Sequence, residues 1–98
     1  MSNCSIALQI LPMGAGQEAT IQAVDAVIEY IASKTDNYEV AAFETTLVGE
    51  YDELMAILKE AIQIASDVHS KIFTNVKINY NGKGSVLGIE EKTTKHQH

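Results

Sequence analysis

Residues 4–11, CSIALQIL, alternate between two sides of an extended chain. Cys4, Ile6, Leu8 and Ile10 fall on one side, and Ser5, Ala7, Gln9 and Leu11 on the other. A period of two with β-branched residues predicts a strand with one strongly apolar face. Pro12 has no N–H for a ladder and closes it. Met13-Gly14-Ala15-Gly16 is a loop of small residues, whose glycines permit a sharp turn or a close ligand approach. The Lys and Ser/Thr that complete a phosphate-binding loop do not follow. From residue 17 to 34 the period changes. Ile21, Val24, Val27, Ile28 and Ile31 recur at helical spacing, with Gln17, Glu18, Gln22, Asp25, Glu29 and Ser33 largely outside the stripe. Gln17 and Glu18 suit the positive end of that helix, Lys34 suits the negative end, and Thr35-Asp36-Asn37 ends it with turn chemistry.

Residues 38–50, YEVAAFETTLVGE, are long for one strand. They read as one bent strand, or as two in a tight hairpin near 38–42 and 45–50. The alternation puts Phe43, Thr45 and Leu47 on the core side and Glu44, Thr46 and Val48 on the other. Gly49 breaks it. Residues 52–67 are a second amphipathic helix, with Leu54, Met55, Leu58, Ala61, Ile62 and Ala65 inward and Ile57 and Ile64 widening the stripe. Residues 71–80, KIFTNVKINY, alternate again: Ile72, Thr74, Val76, Ile78 and Tyr80 against Lys71, Phe73, Asn75, Lys77 and Asn79. Asn81-Gly82 signals a turn. Residues 85–89 suit a short edge strand, and Glu90 onward is a polar segment expected to fray.

The order β-α-β-β-α-β predicts an α+β, ferredoxin-like sandwich: an antiparallel sheet with two helices on one face. This plan is expected to set the first strand beside the third and the second beside the fourth. The other face stays bare and mixed, with Leu11, Val48 and Phe73 beside Gln9, Thr46, Asn75 and Lys77. Such a patch suits an interface or a binding surface, with two-fold self-association as the default. We expect one domain over residues 1–92, followed by a polar tail at 93–98.

Composition narrows the function. A net charge of −6 with only seven Lys and Arg opposes nucleic-acid binding, which needs clustered cations. It is compatible with a cationic small ligand. The single cysteine, Cys4, has no intrachain partner and reads as a small buried hydrophobe in a reducing cytoplasm. No signal peptide is expected, and no apolar run approaches the ~20 residues of a membrane span. His69, His96 and His98 fall in a loop and the tail, without metal-ligand spacing, so neither a metal nor a cofactor is expected. Glu44 and Glu50 are the available candidates for paired carboxylates, which makes acid–base catalysis the weaker reading. A binding module needs less: a few polar groups on a rigid, otherwise apolar surface. Gln9, Glu44, Thr46, Asn75 and Lys77 satisfy that if strands one, three and four are neighbours.

Several stretches together resemble the small thiamine-binding, YkoF-like proteins. Pro12-Met13-Gly14-Ala15-Gly16 is similar to the family's proline–glycine–glycine loop. Thr45 leading into Gly49-Glu50-Tyr51-Asp52-Glu53 is similar to its central strand and acidic helix start. Residues 72–78, IFTNVKI, are similar to its closing strand, and Ile89-Glu90-Glu91-Lys92 to a trailing acidic element. The chain departs from the family pattern in four places. Ala42-Phe43-Glu44 replaces Pro-Met-Gly, Val48 replaces a glutamate, Asn79 an acidic residue and Ile62 a histidine. The resemblance implies a ferredoxin-like fold that assembles through its sheets as a dimer or tetramer. It also implies non-enzymatic binding of thiamine or its hydroxymethylpyrimidine part. The expected polar contacts are Gln9, Glu44, Thr46, Asn75 and Lys77, with Met13 and Phe73 as apolar wall and Glu44 replacing a lost carboxylate. The competing reading is a structural or regulatory homo-oligomer without a small ligand.

Overall fold

A computed structural model describes residues 2–89. The elements are β1 (Cys4–Pro12), α1 (Gln17–Lys34), β2 (Tyr38–Val40), β3 (Thr45–Gly49), α2 (Tyr51–Val68) and β4 (Ile72–Tyr80). They form a four-stranded antiparallel sheet in the order β2-β3-β1-β4. The ferredoxin-like plan is therefore present, and the 38–50 stretch is a hairpin rather than one bent strand. One expected neighbour is wrong. β4 does not lie beside β2; it pairs with β1 along nine residues, from Cys4↔Tyr80 to Pro12↔Ile72. The second crossover, through α2, carries the chain past β1 to the far edge, so β1 becomes an interior strand.

The alternation of β1 sets the layers. Cys4, Ile6, Leu8 and Ile10 are buried, and their side of the sheet carries both helices. Leu47 stands opposite Ile6 and Thr45 opposite Leu8, so both join that layer. Val27 and Ile31 of α1 and Leu54 and Ile57 of α2 close the core from above. Ala23, Ala61 and Ala65 are fully buried. Short side chains at these helix positions allow close approach of the backbones.

Two expected core residues lie outside. Ile21 is half exposed, because the inward stripe of α1 centres on Ala23, Val27 and Ile31. Phe43 is 81% exposed. The strand period does not continue through the hairpin turn, where Ala41 N–H donates to the Glu44 carbonyl at 3.0 Å. The expected strand over 85–89 does not form. There the chain makes a backbone bond from Val86 N–H to the Ser2 carbonyl, 3.0 Å, after a turn at Asn81–Gly84. Glu90, Glu91, Lys92, the 93–98 tail, His96 and His98 lie outside the described residues.

The termini of the elements explain their limits. Gly14 adopts φ 74°, a left-handed turn natural to glycine, before α1 starts. α1 stops at Thr35, whose hydroxyl accepts the Asn37 N–H at 3.0 Å. Glu50 precedes α2 without a side-chain cap of its own. The Asn3 Oδ1 atom does that work from across the sheet, accepting the Tyr51 N–H at 2.9 Å. One of the orphan donors of the α2 N-terminus is thereby satisfied by the strand beneath it.

Candidate functional site

The face opposite the helices brings together the five polar residues singled out from the sequence. Register places Asn75 opposite Gln9, Lys77 opposite Ala7, and Thr46 on the other side of Ala7. Asn75 Nδ2 donates to Gln9 Oε1 at 3.2 Å. Lys77 Nζ lies 3.5 Å from Glu44 Oε1. This ion pair spans β1, because Lys77 is on β4 and Glu44 directly precedes β3. The small Ala7 side chain leaves room beneath it. Lys77 is 81% exposed and Glu44 34%, so the carboxylate is the better sheltered partner.

The two apolar candidates stand further along. Phe73 is opposite Leu11, one same-face step beyond Gln9–Asn75. Both are exposed, which leaves an apolar patch on the open face. Met13 lies beyond the end of β1, roughly 13 Å along the strand from Gln9 at ~3.3 Å per residue. Its N–H donates to the Lys71 carbonyl at 2.9 Å, and its own carbonyl lies 2.6 Å from His69 Nε2. The rest of the open face is less bare than expected. Val48 and Ser5, opposite each other, are buried.

A cleft of about 210 Å³ opens beside this cluster. β3 meets β1 only as far as Leu8, whereas β4 follows β1 to Pro12. The missing length of β3 leaves a notch in the sheet. Leu8, Gln9, Ile10 and Leu11 form its floor, and Val24, Val27 and Ile28 of α1 form one wall. The hairpin turn from Val40 to Glu44 forms the other. Gln9 and Glu44 belong to both the cleft and the polar cluster. The α1 wall and the notch were not anticipated from the sequence. They depend on unequal strand lengths, which no local pattern encodes.

The arrangement offers a carboxylate, two amides and a hydroxyl beside an apolar cleft. It does not assemble a nucleophile with a base. Cys4 is fully buried at the opposite end of β1 from His69, and burial pushes its thiol pKa up, disfavouring the reactive thiolate. Glu50 stands at the far end of β3 from Glu44, roughly 20 Å away by strand rise. Among the described residues, no group of three or more His, Cys, Asp or Glu side chains converges to hold a metal ion. No helix there is long and apolar enough to cross a membrane.

A sequence profile described as thiamine-binding protein matches residues 6–97. The chain belongs to the thiamine-binding protein family. Within reach of this family lies a UPF0045 protein of Clostridium perfringens, 37% identical and aligned over 99% of this chain and 100% of its own. Solved structures agree in fold. A Streptococcus pneumoniae protein is 45% identical with a TM-score of 0.80, over 96% of this chain and 99% of its own. A Thermotoga maritima protein, provisionally assigned to thiamine biosynthesis or salvage, is 26% identical with a TM-score of 0.84, over 97% and 99%. Family membership gives the chain a thiamine-related context.

Proposed function

We propose that this protein binds thiamine or its hydroxymethylpyrimidine part in the cytoplasm without turning it over, and self-associates through its open sheet face. The observation that carries this reading is the position of Glu44. It is a half-sheltered carboxylate at the mouth of an apolar cleft, flanked by the Gln9 amide. A cationic heteroaromatic ligand matches that pairing of negative charge and apolar wall. Thr46 and Asn75 supply further hydrogen bonds on the open face, Lys77 holds the Glu44 carboxylate until a cation arrives, and Phe73 and Met13 extend the apolar surface. The exposed Leu11–Phe73 pair supports self-association, since apolar patches of this kind mark contact surfaces.

Titration calorimetry with thiamine, hydroxymethylpyrimidine and the isolated thiazole tests the reading. Thiamine and the pyrimidine should bind and be recovered intact by mass spectrometry. Absence of heat with all three, together with no thermal shift, favours a ligand-free homo-oligomer instead. A ligand held at ~100 times its Kd should add about 2.7 kcal/mol of stability.

A further inference from the structure

We infer that Asn81 is a modification site: the Gly82 backbone nitrogen attacks its side-chain amide, converts it to aspartate or isoaspartate, and so unhooks the turn after β4 from the N-terminus. The chain has five asparagines, Asn3, Asn37, Asn75, Asn79 and Asn81. The first four are each followed by a strand residue that carries a side chain: Cys4, Tyr38, Val76 and Tyr80. Asn81 is followed by Gly82, in a turn, where the lack of a Cβ lets the next backbone nitrogen approach the side chain. Both residues are exposed, so water reaches them. Among the described residues nothing accepts a hydrogen bond from the Gly82 N–H. Lys83 N–H donates to Asn81 Oδ1 at 3.1 Å, which draws electron density away from the amide carbon.

The reaction needs only water. The Gly82 nitrogen gives its proton to solvent and forms a bond to Asn81 Cγ. The Cγ–Nδ2 bond breaks, the nitrogen leaves as ammonia, and a five-membered imide remains. Water opens that ring at Cγ to give aspartate, or at the main-chain carbonyl to give isoaspartate. Either product gains a negative charge and loses the amide donor. In this turn the donor has a partner. Asn81 Nδ2 donates to the Ser85 carbonyl at 3.2 Å, and the chain wraps it so closely that a Cβ at Gly84 would lie 2.9 Å from Nδ2. Val86 N–H then reaches the Ser2 carbonyl at 3.0 Å. A carboxylate oxygen in place of Nδ2 faces the Ser85 carbonyl oxygen with no hydrogen between them, and the two repel. The turn opens and Val86 loses its anchor, while Asn81 N–H keeps its own bond to the Asn3 carbonyl, 2.8 Å.

The test incubates the folded full chain in mildly alkaline buffer and maps it by peptide mass spectrometry, with isoaspartate detected by an isoaspartyl methyltransferase. Asn81 should convert while the other four asparagines stay amides, and Gly82→Ala should slow the conversion several-fold. An alanine Cβ there stands 3.2 Å from the hydroxyl of Tyr80, an exposed ring end that can swing aside, so the variant should fold. Asn81→Asp reproduces the aspartate product. In it, amide exchange at Val86 should speed by about fivefold, the loss of one hydrogen bond of roughly 1 kcal/mol. Exchange at Met13, bonded to the Lys71 carbonyl beyond the other end of β4, should stay as it was. Conversion in the urea-unfolded chain with none in the folded one shows that the Lys83 and Ser85 contacts guard the amide, and overturns the inference. Conversion of another asparagine at the rate of Asn81, or unchanged Val86 exchange in Asn81→Asp, overturns it as well.

Discussion

Removing the charge of Glu44 or Lys77 separates a ligand contact from a counter-ion. The two groups lie 3.5 Å apart. In bulk water that separation corresponds to about 1.2 kcal/mol of attraction. Lys77 is 81% exposed, so solvent screening and side-chain entropy reduce the pair to roughly 0–1 kcal/mol. The Lys77→Met variant should therefore lose less than about 1 kcal/mol in urea unfolding. In calorimetry it should bind thiamine equally well or up to about fivefold more tightly, because the competitor for the carboxylate is gone. Glu44→Gln keeps shape and removes charge. A charge-assisted contact of about 1.5–3 kcal/mol should be lost, an affinity decrease of roughly 10- to 150-fold. The double variant should resemble Glu44→Gln, since Lys77 acts through Glu44. If Lys77→Met weakens binding as much as Glu44→Gln, Lys77 touches the ligand directly and the counter-ion argument fails. If Glu44→Gln binds thiamine like the parent, the site itself has been misassigned.

Four further outcomes can be measured. Leu47 is fully buried between Ile6 and Tyr38 in register, so Leu47→Ala should cost about 2–5 kcal/mol in urea unfolding. Phe43→Ser at the exposed hairpin tip should change stability by less than about 0.5 kcal/mol; a core-sized loss contradicts its placement. Cys4 is raised above its ordinary pKa by burial, so the fold favours the neutral thiol. Stability should be complete below about pH 8.5 and fall as pH rises beyond it, whereas Cys4→Ala should show a flatter alkaline limb in urea midpoints. Phe73→Lys on the open face should shift sedimentation towards monomer without lowering the thermal midpoint of the monomer by more than a few degrees.

β1 and both helices were legible because each has one dry face, whereas β4 carries only partly buried residues at Ile72, Thr74 and Val76. The two faces of β1 follow the alternation read from the sequence, and β4 follows it from Ile72 to Val76, beyond which Ile78 and Tyr80 are exposed. The candidates Gln9, Thr46, Asn75 and Lys77 converge because strands of known facing became neighbours. Phe43 was misread because alternation was carried through a turn, where side-chain direction no longer follows a period of two. Ile21 was misread because β-branched bulk was weighted above Ala23, the smaller residue that fits against the sheet. The position of β4 beside β1 depends on which way the α2 crossover returns. The notch depends on β3 starting opposite Leu8 while β4 continues to Pro12. Both are comparisons between distant segments, so no window of sequence contains them.

The interior position of β1 also bears on how the chain is made. Its last partner, β4, begins at Ile72, some 60 residues after β1 ends at Pro12. At about 5–20 residues per second on the ribosome, that is a delay of roughly 3–12 s. Throughout it, β1 has an open edge and the hydrogen bonds on its β4 side unmade. The sheet can close only once β4, which ends at Tyr80, has been made. A nascent chain of this protein is then an exposed β-edge waiting for its final strand, the kind of surface that holding chaperones shield.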